Sequence, residues 1–133
     1  MDPHRITVAR ASLDGAEQGT KTFPQIVGDL MAAGFESYMI DFRRATATYY
    51  LPDGESTALE AHPVGTPVAA AFDADAIQAA IRDAQNAVPG YTYAGFCERV
   101  AAAGCAGYIV SFPGRRALYF GRTAETLVEP FPA

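Results

Sequence analysis

The chain has 133 residues, 50% hydrophobic, 19% charged and 11% aromatic, with a formal net charge of −5. That length and ordinary composition fit one globular domain and exclude wholesale disorder and collagen-like structure. A sequence pI near 4.8 disfavours DNA, RNA and anionic membranes as partners, and no apolar run approaches the ~18 residues of a membrane span.

The opening Met1-Asp2-Pro3-His4-Arg5 has no signal-like apolar stretch behind it, so a cytoplasmic protein is expected. Ala9, Leu13 and Ala16 share one helical face and predict a first helix over Val8–Gln18, weakened by Gly15 inside it. Thr22-Phe23-Pro24-Gln25 has the form of a capping box with proline in the first turn. The second helix it opens carries Ile26, Val27, Leu30 and Met31 and stops at Gly34. Alternation of Tyr38, Ile40 and Phe42 with Met39 and Asp41 predicts a strand. A turn at Arg43-Arg44 leads to a second strand over Ala45–Leu51, and Pro52-Asp53-Gly54 turns the chain into a third over Glu55–Glu60.

Residues 61–71, rich in proline and alanine, are the only candidate linker, and their apolar character predicts that they pack on the body. Asp73 then caps a helix running to about Asn86, with Ile77, Ala80, Ile81 and Ala84 on one face. Thr92 opens the next helix, which carries Phe96, Cys97 and Val100 and ends at Gly104. Strands follow around Tyr108, Val110 and Phe112, over Arg115–Phe120 after a Pro113-Gly114 turn, and over Glu125–Glu129.

The second series repeats the first. Shifted by 70, residues 22–56 lie over 92–126 without a gap, with identities at positions 22, 32, 33, 34, 38, 42, 47, 49 and 55. Glycine and aromatics fall in register, which marks an internal duplication. The repeats span approximately 6–60 and 73–129. A lone three-stranded meander with two short helices buries too little to be stable. The expectation is an α+β fold in which two helix–helix–antiparallel three-stranded units form one pseudo-twofold domain over 1–133.

The Ala-Ala-Gly helix ends, Gly107-Tyr108-Ile109-Val110-Ser111-Phe112, Tyr119-Phe120-Gly121-Arg122-Thr123 and the closing Glu129-Pro130-Phe131-Pro132 also resemble the YdfO/YbcV-like family. The likeness covers nearly the whole chain and is clearest over 92–132. It implies a small bacterial α+β domain, found in some genomes on prophages, of unknown function and with no catalytic residues to carry over.

Phosphate-loop, dinucleotide-binding, HExxH, GxSxG and EF-hand patterns are absent, and no cofactor or metal is expected. Cys97 and Cys105 read as reduced, buried thiols, being eight positions apart across a helix end. The matched Tyr38/Tyr108 and Tyr49/Tyr119 read as sheet or core aromatics, the functional alternative being a tyrosine-lined pocket across the pseudo-twofold axis. Glu55 and Glu125 read as solvated charges beginning a strand, the functional alternative being an acid–base pair if the axis brought them together. Asp41, opposite the aromatics, is expected to pair with Arg43 or Arg44; His62, with Glu60 nearby, is the one base–orienter candidate. Arg43-Arg44 and Arg115-Arg116 occupy the first hairpin turn of each unit and Arg122 lies near the next. If they gathered at one end they would chelate phosphate or carboxylate; otherwise they guard strand edges. The leading expectation is a binding module for a protein partner or small anionic ligand, with a homodimer through a strand edge as one form of it. The alternative is a small enzyme using Glu55, Glu125 or His62 in a cleft between the halves.

Overall fold

In the computed structural model, which describes residues 1–132, the chain forms two helices, three strands, two helices and three strands in that order. The first unit comprises α1 (Pro3–Gln18), α2 (Phe23–Ala32), β1 (Ser37–Asp41), β2 (Thr46–Tyr50) and β3 (Ser56–Glu60). The second comprises α3 (Ala74–Gln85), α4 (Tyr93–Ala102), β4 (Cys105–Ser111), β5 (Arg116–Gly121) and β6 (Thr126–Pro130). All six strands join one antiparallel sheet in the order β3-β2-β1-β4-β5-β6. Each unit is a meander, and the two first strands, β1 and β4, form the seam.

The seam sets the symmetry. Tyr38 faces Val110 and Ile40 faces Tyr108, pairs that exchange under the shift of 70, while Met39 faces its own equivalent, Ile109. The pseudo-twofold axis therefore passes through the Met39–Ile109 pair. The amide N–H of Phe42 donates to the carbonyl of Ala106, and that of Phe112 donates to the carbonyl of Glu36, again equivalent bonds. Local details repeat too. The hairpin turns end on left-handed residues at Ala45 (φ 53°) and Arg115 (φ 51°), and Gly34 and Gly104 both have φ 96°.

Helix starts follow the expected chemistry. Thr22 accepts from the amide of Gln25 while the Gln25 side chain accepts from Thr22, so the capping box is complete. At Thr92 only the first of these bonds exists, because Gly95 has no side chain to return it. The first helix is longer than its apolar spacing predicts, starting at Pro3 and not at Val8. Asp2 accepts from the amide of Arg5 at 2.9 Å and Pro3 fills the first turn, a cap in a segment too polar to show helical periodicity. That bond also holds the Asp2 carboxyl below its ordinary range.

Alternate strand residues meet the helices. Tyr38, Ile40, Ala47, Tyr49, Tyr108, Val110, Ala117 and Tyr119 are buried with Leu30, Ile77 and Val100 in a core drawn from both units. The connector after β3 lies on this body, as its composition predicts: the Ala69 amide donates to Ala101 and the Asp73 amide to Ala103.

The two helix-ending glycines offer an internal comparison. A methyl at Gly34 would meet only the guanidinium of Arg5, whereas one at Gly104 would collide with the Ala71 backbone. Gly34→Ala should cost about 1–2 kcal/mol, from backbone strain alone. Gly104→Ala should cost about 3 kcal/mol or more, since overpacking adds to that strain. Urea denaturation of the two variants checks the order; equal losses would contradict it.

Candidate functional site

The four matched tyrosines meet, but as core. Tyr38 stacks on Tyr49 at 5.5 Å between ring centres, and the equivalent Tyr108 and Tyr119 lie 5.2 Å apart. Tyr38 also contacts Phe112 at 6.2 Å, and Tyr108 contacts Phe42 at 6.0 Å, a second equivalent pair. Tyr38 and Tyr108 join edge to face at 6.4 Å, which closes the cluster across the axis. All four are buried, and burial pushes their phenol pKa values up, so they remain neutral over the ordinary pH range. Around the axis the space between the halves is filled by these rings.

The matched charged groups do not meet. Because β1 and β4 run antiparallel, equivalent turns lie at opposite ends of the sheet. Arg43-Arg44 therefore lie at the end opposite Arg115 and Arg116, and the single arginine cluster is not formed. Arg122 donates to the carbonyl of Val68, and the Arg116 Nε to that of Gly114. Glu55 lies in the β2–β3 turn and Glu125 in the β5–β6 turn, again at opposite ends; Glu55 pairs with the N-terminal amine at 3.2 Å and Glu125 accepts from the Thr123 hydroxyl. Asp41 makes no pair with the guanidinium groups of its neighbours. It accepts from the backbone amides of Arg43 and Arg44 at 3.0 and 3.1 Å, as Ser111 accepts from Gly114 in the second turn. Aspartate and serine thus do one job, capping a turn. His62 is exposed, and its contact to a carboxylate runs through its backbone amide to Glu17 at 2.7 Å.

The sequence pattern did not disclose a concavity lined by residues of both units. A cleft of about 20 Å³ beside the β1–β2 turn is lined by Leu13, Glu17, Phe42, Ala61, Tyr93 and Cys97, with His62 at its rim. Its equivalent in the second unit is filled: Phe131 stands at the position of Ala61 and meets Phe23, the counterpart of Tyr93, edge-on at 5.7 Å. A phenyl ring replaced by a methyl leaves the cleft, with room for about one water-sized molecule. The hydroxyl of Tyr93, one of the lining residues, lies 2.6 Å from that of Tyr108. Burial pushes the Cys97 thiol up to about 12 and the Cys105 thiol up to about 11, so neither is a ready nucleophile near neutrality.

The sheet face turned away from the helices is unpartnered. Paired positions form a row across all six strands, Ala58–Thr48–Met39–Ile109–Leu118–Val128. Ile109 and Val128 are 39% and 41% exposed, unusual for β-branched aliphatic side chains. Phe120 lies over Gly107 on the same face, where a side chain on the glycine would strike its ring. Among the strand residues of this face only Asp41, Glu60 and Arg116 carry charge. Alternation in the strands marks these residues as one face, but their exposure follows from all four helices lying on the other side. No helix of the described residues is long and apolar enough to cross a membrane.

Burial raises the pKa of both thiols and of Tyr38, Tyr49, Tyr108 and Tyr119 in the folded state, which sets the alkaline response. Folded Cys97 and Cys105 keep their protons where the unfolded chain, with thiols near 9.0, loses them. Their contribution is complete below pH 9 and falls as the pH rises through 11 and 12, by at most about 1.4 kcal/mol per pH unit for each thiol. Urea denaturation at about pH 8 and about pH 10.5 should show this fall, and Cys97→Ala should shrink it. Equal stability at both pH values would contradict burial of these groups.

No protein-family model matches the chain, and no curated protein matches it.

Proposed function

We propose that the chain is an interaction module whose working surface is the open face of its sheet, with a protein surface as counterpart. The observation that carries this reading is the apolar row through Met39, Ile109, Leu118 and Val128, in which Ile109 and Val128 are exposed and Met39 and Leu118 half-buried, on a face with few charges. Exposed aliphatic side chains in a continuous row cost solvation free energy unless something covers them. The net charge of −5 argues against nucleic acid as that counterpart. A cytoplasmic setting belongs to the same proposal, since Cys97 and Cys105 are free thiols. The resemblance to the YdfO/YbcV-like family adds a fold to this reading and no activity. A second reading, a small molecule held in the Ala61 cleft, has the contrast with Phe131 behind it. The cleft has room for about one water-sized molecule, so the face carries the conclusion.

Maleimide footprinting tests it. Thr48→Cys places a thiol on the open face and Ala11→Cys places one on the exposed side of α1, while the native thiols are buried. In intact cells, Thr48→Cys should label at least several-fold more slowly than Ala11→Cys, and the two should label alike in the dilute pure chain. Equal labelling in cells would overturn the proposal.

A further inference from the structure

We infer that the open face binds a second copy of this chain, in a symmetric dimer that seats the second unit of each copy on the first unit of the other. The inference rests on the proposal that this face is an interaction surface, and it names the partner.

The two units differ on that face. At equivalent positions the first unit carries small side chains and the second bulky ones: Thr46 against Arg116, Thr48 against Leu118, Ala58 against Val128. Packed sheets lie about 10 Å apart with strands within about 30° of one another. A twofold axis parallel to the strands and passing over the seam lays β2 on β5 and β3 on β6. In the observed register it sets Leu118 of one copy over Thr48 of the other, Val128 over Ala58 and Phe120 over Thr46. Leu118, Val128 and Phe120 each meet a smaller side chain, which favours interdigitation on both flanks of the seam. At the centre Met39 meets Ile109. An axis perpendicular to the strands would instead lay each strand on its own copy, Leu118 on Leu118 and Thr48 on Thr48, with crowding on one side and a gap on the other.

Charge allows the same arrangement. The register places Arg116 over Tyr50, where a guanidinium meets a ring face, and Tyr50 over Arg116 in return. Asp41 falls over Gly107 and Glu60 over Thr126, so like charges do not stack directly; the two Asp41 carboxylates lie on neighbouring strands across the axis, each held by the backbone amides of Arg43 and Arg44. Six strands about 4.8 Å apart and five residues at about 3.3 Å each span roughly 29 by 16 Å. Counting side-chain relief, two such faces bury on the order of 1,000–1,300 Å² in total, enough for a specific interface of modest affinity.

Sedimentation of the purified chain over about 1–200 µM, a range that brackets modest affinity, should show the mass rise from 14.1 kDa to twice that value. Leu118→Lys should keep the circular dichroism of the parent and remain monomeric. The geometry is read by mixing Thr48→Cys with Leu118→Cys and adding a short bismaleimide. The mixture should give crosslinked dimer at least fivefold above either variant alone. A mass of 14.1 kDa throughout, or equal crosslinking in all three samples, overturns the inference; a dimer that resists Leu118→Lys points to the β3 and β6 edges and overturns it as well. If Thr48→Cys is shielded in cells while the pure chain stays monomeric, the face works on a different protein. In that case the proposed function stands and this inference fails.

Discussion

The β1–β4 seam holds this molecule together. Without it each unit would be two short helices on a three-stranded meander, with one strand edge and most of one face open to water. With it, the meanders become one six-stranded sheet and the two tyrosine pairs become one cluster. The Tyr38–Tyr108 contact crosses the axis, and Tyr38–Phe112 and Tyr108–Phe42 cross it twice more. These rings are buried against helices of both units, so neither half keeps its core if the seam opens. The unequal cost expected at Gly34 and Gly104 belongs here too, because the connector backbone at Ala71 and Phe72 crowds Gly104 while the Arg5 side chain lies near Gly34.

Duplication separates what a fold needs from what it can vary. Equivalent positions that keep their chemistry, such as Tyr49 and Tyr119 or Thr22 and Thr92, are core and caps. Asp41 and Ser111 differ in charge yet cap the same turn, so a change of residue type alone marks nothing. The informative differences are of size. Ala61 in place of Phe131 opens a cleft, and Thr48 in place of Leu118 makes one half of the open face shallow where the other is raised. A face that is hollow on one side and raised on the other is complementary to its own rotated copy.

Much of the fold was legible in the chain, because it is written in short-range signals, the helix-ending glycines and the alternating strands among them occurring twice. Thr-x-x-Gln, the glycine helix ends, the alternating strands and the Pro-Asp-Gly turn each have a local physical cause. The start of α1 was not legible: a single Asp–Pro cap carries it, and the residues after the cap lack an apolar stripe. The sites were harder, for a topological reason. Positions 70 apart look like partners in an alignment, but an antiparallel seam sends the turns to opposite ends of the sheet. Glu55 and Glu125, or Arg43 and Arg115, are equivalent without being neighbours, whereas Tyr38 and Tyr108 meet because they lie beside the axis. The open face was hidden because alternation shows that a strand has two sides and not which side the helices will cover.

The central claim is that the two units are one cooperative structure. Native-state hydrogen exchange, followed residue by residue at increasing urea, tests it most directly. The amides of Tyr38, Tyr49, Tyr108 and Tyr119 should converge on a single opening free energy equal to that of global unfolding. If the first unit exchanged through its own lower-energy opening while the second stayed protected, the shared core described above would be contradicted.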